Sequence, residues 1–169
     1  MINKISDEFR IKSSILIEHY QYIESYLESI YANVSQKGFF AGLDYVSKHN
    51  LTQLIKELRE IDLAQSSPVL KASDYDKLWE ICKHRNFWVH EAYYELAFNA
   101  NTGDLKKQCS TVIMNKDLAE AESMRDYLFE KQLKLMEKNR ESIHAEIKES
   151  LEHASDTIKD VFVDIKHYS

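Results

Sequence analysis

Hydrophobic residues recur every three or four positions over most of the chain, a spacing typical of amphipathic helices. The clearest segment predicts a helix from about residue 6 to 35, with Gly38 as its stop. Its apolar seam consists of Leu16, Tyr20, Ile23, Leu27, Ile30 and Val34. The residues expected to widen this buried face are Ile11, Ile15, Tyr22 and Tyr26.

Two further helices are predicted before residue 99. The second covers about residues 43–64, follows an apolar turn at 39–42, and is divided if Asn50 or Thr52 caps a new start inside it. A loop containing Pro68 separates it from a third helix over about residues 74–98, for which Ser73 is the expected cap.

The rest of the chain completes a helical pattern. A polar loop is predicted at 99–107, a short extended piece at 111–114, and a fourth helix from Asn115 or Asp117 to about residue 153. A final short helix is expected over 158–165. Short connections favour an all-α, up-and-down helical bundle of four long helices plus a short C-terminal helix, with residues 1–169 as a single domain.

The composition agrees with long helices. Three glycines and one proline in 169 residues exclude a turn-rich β-sandwich or barrel and a Pro/Gly-rich disordered chain. The two cysteines, Cys82 and Cys109, form no C-x-x-C pair, and the sequence shows neither an apolar leader nor a membrane-spanning run. These features predict a cytoplasmic protein without a membrane segment.

The net charge of -6 argues against a basic nucleic-acid coat protein, but the charge is unevenly distributed. Residues 117–164 hold 13 acidic and 7 basic side chains, whereas residues 1–116 hold 15 and 14. The part that contains the third predicted helix is therefore nearly neutral. An RNA site there is expected to be small and to depend only modestly on salt.

One charged residue interrupts the apolar stripe of the third helix. At about 100° per residue, that stripe consists of Leu78, Ile81, Cys82, Val89, Ala92 and Leu96. Arg85 projects close to the centre of the stripe. Because a buried, unpaired arginine is costly, Arg85 is expected to meet a carboxylate, carbonyl groups, a cleft or an anionic ligand.

His90 follows Arg85 by five residues, and Asn86 shares the helix face of His90. On a straight helix Arg85 and His90 point about 140° apart. To act on one phosphate they need a kink, the reach of the arginine, or contributions from two copies of the helix. The aromatic residues Trp88, Tyr93 and Tyr94 favour the last option, because they make this helix apolar nearly all round. We therefore expect a homodimer through the third helix.

The run Arg85-Asn86-Phe87-Trp88-Val89-His90 resembles the R-x(4–6)-H motif of the HEPN superfamily in its common R-N-x-x-V-H form. Members of that superfamily are small α-helical bundles, usually dimeric, and many are metal-independent endoribonucleases in toxins, anti-phage defence and RNA processing. Toxins paired with a minimal nucleotidyltransferase antitoxin carry a tyrosine two residues after the histidine. Here Ala92 stands at that position, so the resemblance does not extend to modification of that tyrosine.

The resemblance implies specific roles. His90 would act as general base on the RNA 2′-OH, and Arg85 would stabilise the charge on the phosphate. Asn86 would orient His90 or donate to the phosphate. It also implies 2′,3′-cyclic phosphate products, an antitoxin or defence-system partner, and no metal or cofactor. Further candidates for contacting RNA, or alternatively for a solvated face or dimer packing, are Lys83, His84, Glu91, Tyr93 and Tyr94.

Three other interpretations stay open. Arg85 could be a structural arginine paired with a core carboxylate, with His90 a surface histidine. The chain could be a non-catalytic dimerisation module, or one that binds RNA or a nucleotide. A di-metal bundle enzyme would use the pair Glu141 and His144, but it needs a second such pair, and the sequence offers only different spacings.

Overall fold

The computed structural model describes residues 7–92 and 111–167, and the side chains of residues 7–92 and 112–154. The described residues form six α-helices: α1 (Asp7–Val34), α2 (Phe39–Val46), α3 (Leu51–Leu63), α4 (Ala72–Asn86), α5 (Thr111–Lys138) and α6 (Arg140–His167). A π-helical turn at Phe87–Glu91 continues α4. No β-strand occurs in these ranges, so the prediction of an all-α helical bundle is confirmed.

The centre of the core lies between α1 and α5, which run parallel. Arg125 of α5 donates to His19 Nδ1 at 3.0 Å, and Asn139, just after α5, donates to Asn33 Oδ1 at 3.1 Å. The predicted seam of α1 is fully buried from Leu16 to Ile30, whereas Val34 is only partly buried. Of the four residues expected to widen this face, Tyr26 is partly buried against the core. The prediction is wrong for Ile11, Ile15 and Tyr22, which are exposed because the described helices cover only one side of α1.

Helix α4 runs antiparallel to both α3 and α5. The Thr52 hydroxyl contacts Cys82 Sγ at 3.3 Å, while Asp62 near the other end of α3 accepts from Tyr75. This pairing brings the first turn of α3 beside the end of α4. Cys82 is buried in the core, as its place on the apolar stripe predicted.

The start of α3 agrees with the sequence, whereas the start of α4 does not. The Asn50 side chain accepts from Gln53 N, and Gln53 Oε1 accepts from Asn50 N, which makes a reciprocal cap. Helix α4 begins before the predicted Ser73 cap. There the Lys71 N–H donates to Asp74 Oδ2, so the Asp74 carboxylate provides an acceptor at the amino end of the helix.

The predicted turn at 39–42 is instead the first half of α2. Gly42 lies inside this helix because α2 crosses α1 closely. A Cβ at Gly42 would stand 2.9 Å from Ala32 Cα and 2.9 Å from Ser35 Oγ. The glycine therefore provides room for a helix crossing instead of a turn.

Gly42→Ala is expected to lower the free energy of unfolding by about 1–2 kcal/mol, because overpacking outweighs the gain of up to about 1 kcal/mol in helix propensity. Urea denaturation of both proteins measures the difference. Gly42→Ser should cost more than Gly42→Ala. A more stable Gly42→Ala variant would show that the crossing relaxes freely.

The last two helices differ most from the prediction. Thr111–Met114 are helical instead of extended, and the long helix ends at Lys138 instead of near residue 153. Asn139 marks the break, where its side chain is bonded to the end of α1. Helix α6 is consequently 28 residues long, not a short terminal helix. The predicted loop at 99–107 lies outside the described residues.

Helix α6 is tied to the bundle through a carboxylate. Glu146 Oε1 accepts from Phe39 N at 3.0 Å and Oε2 accepts from Phe40 N at 3.3 Å, which caps the first turn of α2. Searched over the described residues, the helices include none with the length and apolarity that a membrane crossing requires.

Candidate functional site

The predicted motif lies where α4 changes into the π-helical turn. In this turn the Ala92 N–H donates to Phe87 O, an i→i+5 bond. Because such a turn unwinds the helix locally, side chains five residues apart come closer to one face than the 140° or so of a straight α-helix. This unwinding is a distortion within one chain, which is the first of the three ways in which Arg85 and His90 could reach the same phosphate.

A cavity of about 510 Å³ opens beside this turn. Its lining from the motif consists of Arg85, Asn86, His90 and Glu91. The opposite wall is the start of α3, residues 50–53. The structure thus brings the three predicted catalytic residues and one predicted substrate-binding residue around one space in one chain.

Arg85 is partly buried, with 28% of its side chain exposed. Its Nη2 lies 3.6 Å from Glu24 Oε2 of α1, and its Nη1 donates to Asn86 Oδ1 at 3.3 Å. The sequence required a carboxylate or a cleft at this position, and the structure provides both. The ion pair is long and both partners keep contact with water, so it is weak enough for an anionic ligand to compete with Glu24.

His90 and Asn86 are both exposed at the rim of the cavity. His90 makes no hydrogen bond or ion pair with any other described residue, so none of these residues occupies its ring nitrogens. No hydrogen bond joins Asn86 to His90 among the described residues, and the Asn86 amide oxygen accepts from Arg85. Its observed contact therefore orients the arginine, whereas the sequence suggested that it orients the histidine.

The first turn of α3 was not foreseen as part of the site. The amino end of a helix carries partial positive charge and free N–H groups, which favour a nearby anion. The sequence predicts Asn50 only as a helix cap. Nothing in the spacing of α3 and α4 along the sequence indicates that the start of one meets the end of the other. The contact of Glu24 with Arg85 could not be predicted for the same reason, because the two residues are far apart in the sequence.

Other predicted residues lie elsewhere. Lys83 is exposed, is bonded to Glu80 at 2.7 Å and does not line the cavity. His84 points away from the cavity toward Asp117 on α5, at 3.2 Å. Tyr93 and Tyr94 lie outside the described residues.

Val89 and Trp88 exchange their predicted positions. Val89, predicted to be buried, is 37% exposed, whereas Trp88 is buried. The indole N–H of Trp88 donates to Asp117 Oδ2 at 2.7 Å, and its ring packs near Phe9. The large indole ring of Trp88, whose N–H finds an acceptor inside the protomer, occupies the buried position instead of Val89. Trp88 is therefore not available for the predicted dimer surface.

The pair proposed for a di-metal enzyme is not assembled. Glu141 and His144 belong to no cluster of three metal-ligating side chains among the described residues. One such cluster does occur in this part of the chain, and it consists of His84, Asp117 and Glu120.

No family model, no curated protein and no solved structure matches this chain.

Proposed function

We propose that this chain is a metal-independent endoribonuclease of the HEPN type. One observation carries the proposal: the π-helical turn and the start of α3 surround a single cavity with Arg85, Asn86 and His90. A permanently charged guanidinium and a histidine without a partner in the described structure are the two groups that metal-free cleavage of RNA needs.

The reaction follows from these groups. His90 removes the proton from the 2′-OH, and the 2′-oxygen attacks the adjacent phosphorus. The P–O5′ bond breaks, and the leaving oxygen takes a proton from solvent water while His90 later releases its proton to solvent, which gives a 2′,3′-cyclic phosphate and a 5′-OH end. Arg85 stabilises the negative charge that builds up on the phosphate oxygens. Asn86 acts as a positioning residue through its bond to Arg85.

The cavity also supports recognition of a phosphate. Arg85 and the amino end of α3 contribute positive potential, and Glu24 and Glu91 oppose it. A bound phosphate would replace Glu24 as the partner of Arg85. In this way the weak ion pair holds the arginine in place until RNA arrives.

Purified wild-type protein is expected to cut RNA in the presence of EDTA and to leave 2′,3′-cyclic phosphate ends. Denaturing gels and end-group analysis measure both features. RNA that stays intact at high protein concentration would overturn the proposal. Binding of RNA without any cleavage would favour the non-catalytic module instead.

The physiological role we propose is that of a toxin or effector in a defence or toxin–antitoxin system, acting as a homodimer in the cytoplasm. It rests on the same motif and on the resemblance. Expression of wild-type protein should therefore inhibit growth, and His90→Ala should relieve the inhibition. Equal toxicity of both proteins would separate the cellular effect from this site.

A further inference from the structure

A second cluster of polar side chains lies on the other side of α4 from the motif cavity. His84 Nδ1 stands 3.2 Å from Asp117 Oδ1 and 4.0 Å from Glu120 Oε2. One ligand atom from each of the three residues lies within 4.8 Å of the other two. Because α4 and α5 are antiparallel, residues more than thirty positions apart in the sequence meet here.

Asp117 is held as metal-binding carboxylates commonly are. It is only 5% exposed, and its second oxygen accepts the Trp88 indole N–H at 2.7 Å. Such a hydrogen bond fixes the orientation of a ligating group. Lys116 lies 3.7 Å from Glu120 Oε1 and is well exposed. Among the described residues no lysine or arginine pairs with the buried carboxylate of Asp117.

An independent observation points to a ligand at the same place. Tyr20 is 2% exposed, and its hydroxyl has no hydrogen-bond partner in the described structure. Burial, together with the charges of Asp117 and Glu120, raises the pKa of Tyr20 far above its usual value. The charges of Asp117 and Glu120 act on this hydroxyl, yet it donates a hydrogen bond to neither carboxylate. A water molecule bound to a metal ion would give this hydroxyl a hydrogen-bond partner, since coordinated water donates strongly and the hydroxyl oxygen can accept.

The cluster is open to solution on one side. His84 and Glu120 line a cavity of about 580 Å³ between α4 and α5, and Glu120 is exposed enough to change its rotamer. One imidazole and two carboxylates form a ligand set that suits Zn²⁺ or Mn²⁺. Three protein ligands leave at least one coordination position for water.

We propose that His84, Asp117 and Glu120 bind one divalent transition-metal ion, Zn²⁺ or Mn²⁺, with the Tyr20 hydroxyl facing the bound water. This site is separate from the cavity of Arg85 and His90 and does not rest on the proposed function. It is linked to that cavity by Trp88, which belongs to the π-helical turn and donates to Asp117. The turn and the bond from Trp88 to Asp117 are already present in the described structure, so binding would add stability to the turn and would not be required for RNA cleavage.

Metal-free protein, prepared by dialysis against EDTA and then buffer, is to be titrated with Zn²⁺ and separately with Mn²⁺ in a calorimeter. We expect one ion per chain for at least one of the two metals, and a higher Tm when the site is saturated. Asp117→Asn keeps an acceptor for Trp88, and Glu120→Gln changes an exposed side chain. Each should weaken binding by at least about tenfold.

Two further variants sharpen the test. Tyr20→Phe should fold at least as stably as the wild type without metal, because it removes a buried hydroxyl that lacks a partner, and should bind the ion more weakly. His144→Gln, an exposed histidine on α6, should bind as the wild type does. The proposal would be overturned if neither Zn²⁺ nor Mn²⁺ binds. It would also be overturned if Glu120→Gln and His144→Gln lose affinity for the ion equally.

Discussion

Replacing His90 with alanine is expected to lower the rate of RNA cleavage by about 10²–10⁴-fold, the usual contribution of a general base. His90 is exposed at the rim of the cavity and makes no hydrogen bond to the described residues, so its loss should leave the fold intact. Single-turnover cleavage of one labelled RNA measures the rate. Unfolding in urea shows whether stability is retained.

Arg85 offers a second test of the same site. Arg85→Ala should slow cleavage by about 10²–10³-fold, as expected for removal of a charge-stabilising group. Arg85→Lys should recover only part of the rate, since an ammonium group cannot form the two-pronged contact of a guanidinium with phosphate.

His144→Ala is the matched control, because His144 is an exposed histidine on α6 that does not line the cavity. It should cut at the wild-type rate. Cleavage by His90→Ala at the wild-type rate, or an equal loss in His144→Ala, would contradict the assignment of the general base.

Replacing Asp62 with alanine is expected to have the largest effect on stability, a loss of about 3–5 kcal/mol in the free energy of unfolding. Asp62 is 0% exposed. It accepts from Val69 N at 2.8 Å, Leu70 N at 2.9 Å and the Tyr75 hydroxyl at 2.8 Å. Alanine would leave the buried Leu70 N–H and the partly buried Val69 N–H without this acceptor, and the Tyr75 hydroxyl with only Leu58 O at 3.5 Å.

This carboxylate fixes the connection between α3 and α4, the two helices that form the motif cavity. The loss predicted for Asp62→Ala is a large share of the 5–15 kcal/mol or so that stabilises a typical domain. Urea denaturation gives the value. Asp76→Ala is the control, since Asp76 is exposed and pairs with Arg59 at 3.4 Å, and it should cost less than about 1 kcal/mol. A loss below about 1 kcal/mol in Asp62→Ala would contradict this network.

The helical pattern could be predicted because it is local. The apolar residues that recur every three or four positions from Leu16 to Ile30 predict the face that α1 buries. Asn50 is a favourable capping residue and so predicts the start of α3. The break at Asn139 could not be predicted. Neither glycine nor proline marks it, and the side-chain bond to Asn33 that accompanies it joins residues 106 positions apart.

The candidate site could likewise be predicted only where its residues are neighbours in the sequence. Arg85, Asn86 and His90 were found from a motif of neighbouring residues, and the structure places all three around one cavity. The π-helical turn that brings them together was not visible, because an ideal helical wheel assumes a constant rotation per residue. The cluster of His84, Asp117 and Glu120 was missed because its members come from two helices whose packing the sequence does not specify.

The central claim is that one chain supplies both Arg85 and His90 to one phosphate. It is tested most directly by mixing Arg85→Ala with His90→Ala after unfolding and refolding them together. If the site lies within one chain, no mixed dimer contains an intact site, and the mixture should stay as inactive as each variant alone. If each site combines Arg85 of one protomer with His90 of its partner, mixed dimers would regain one intact site. Recovery of about a quarter of the wild-type rate, as random pairing of two variants predicts, would contradict the claim.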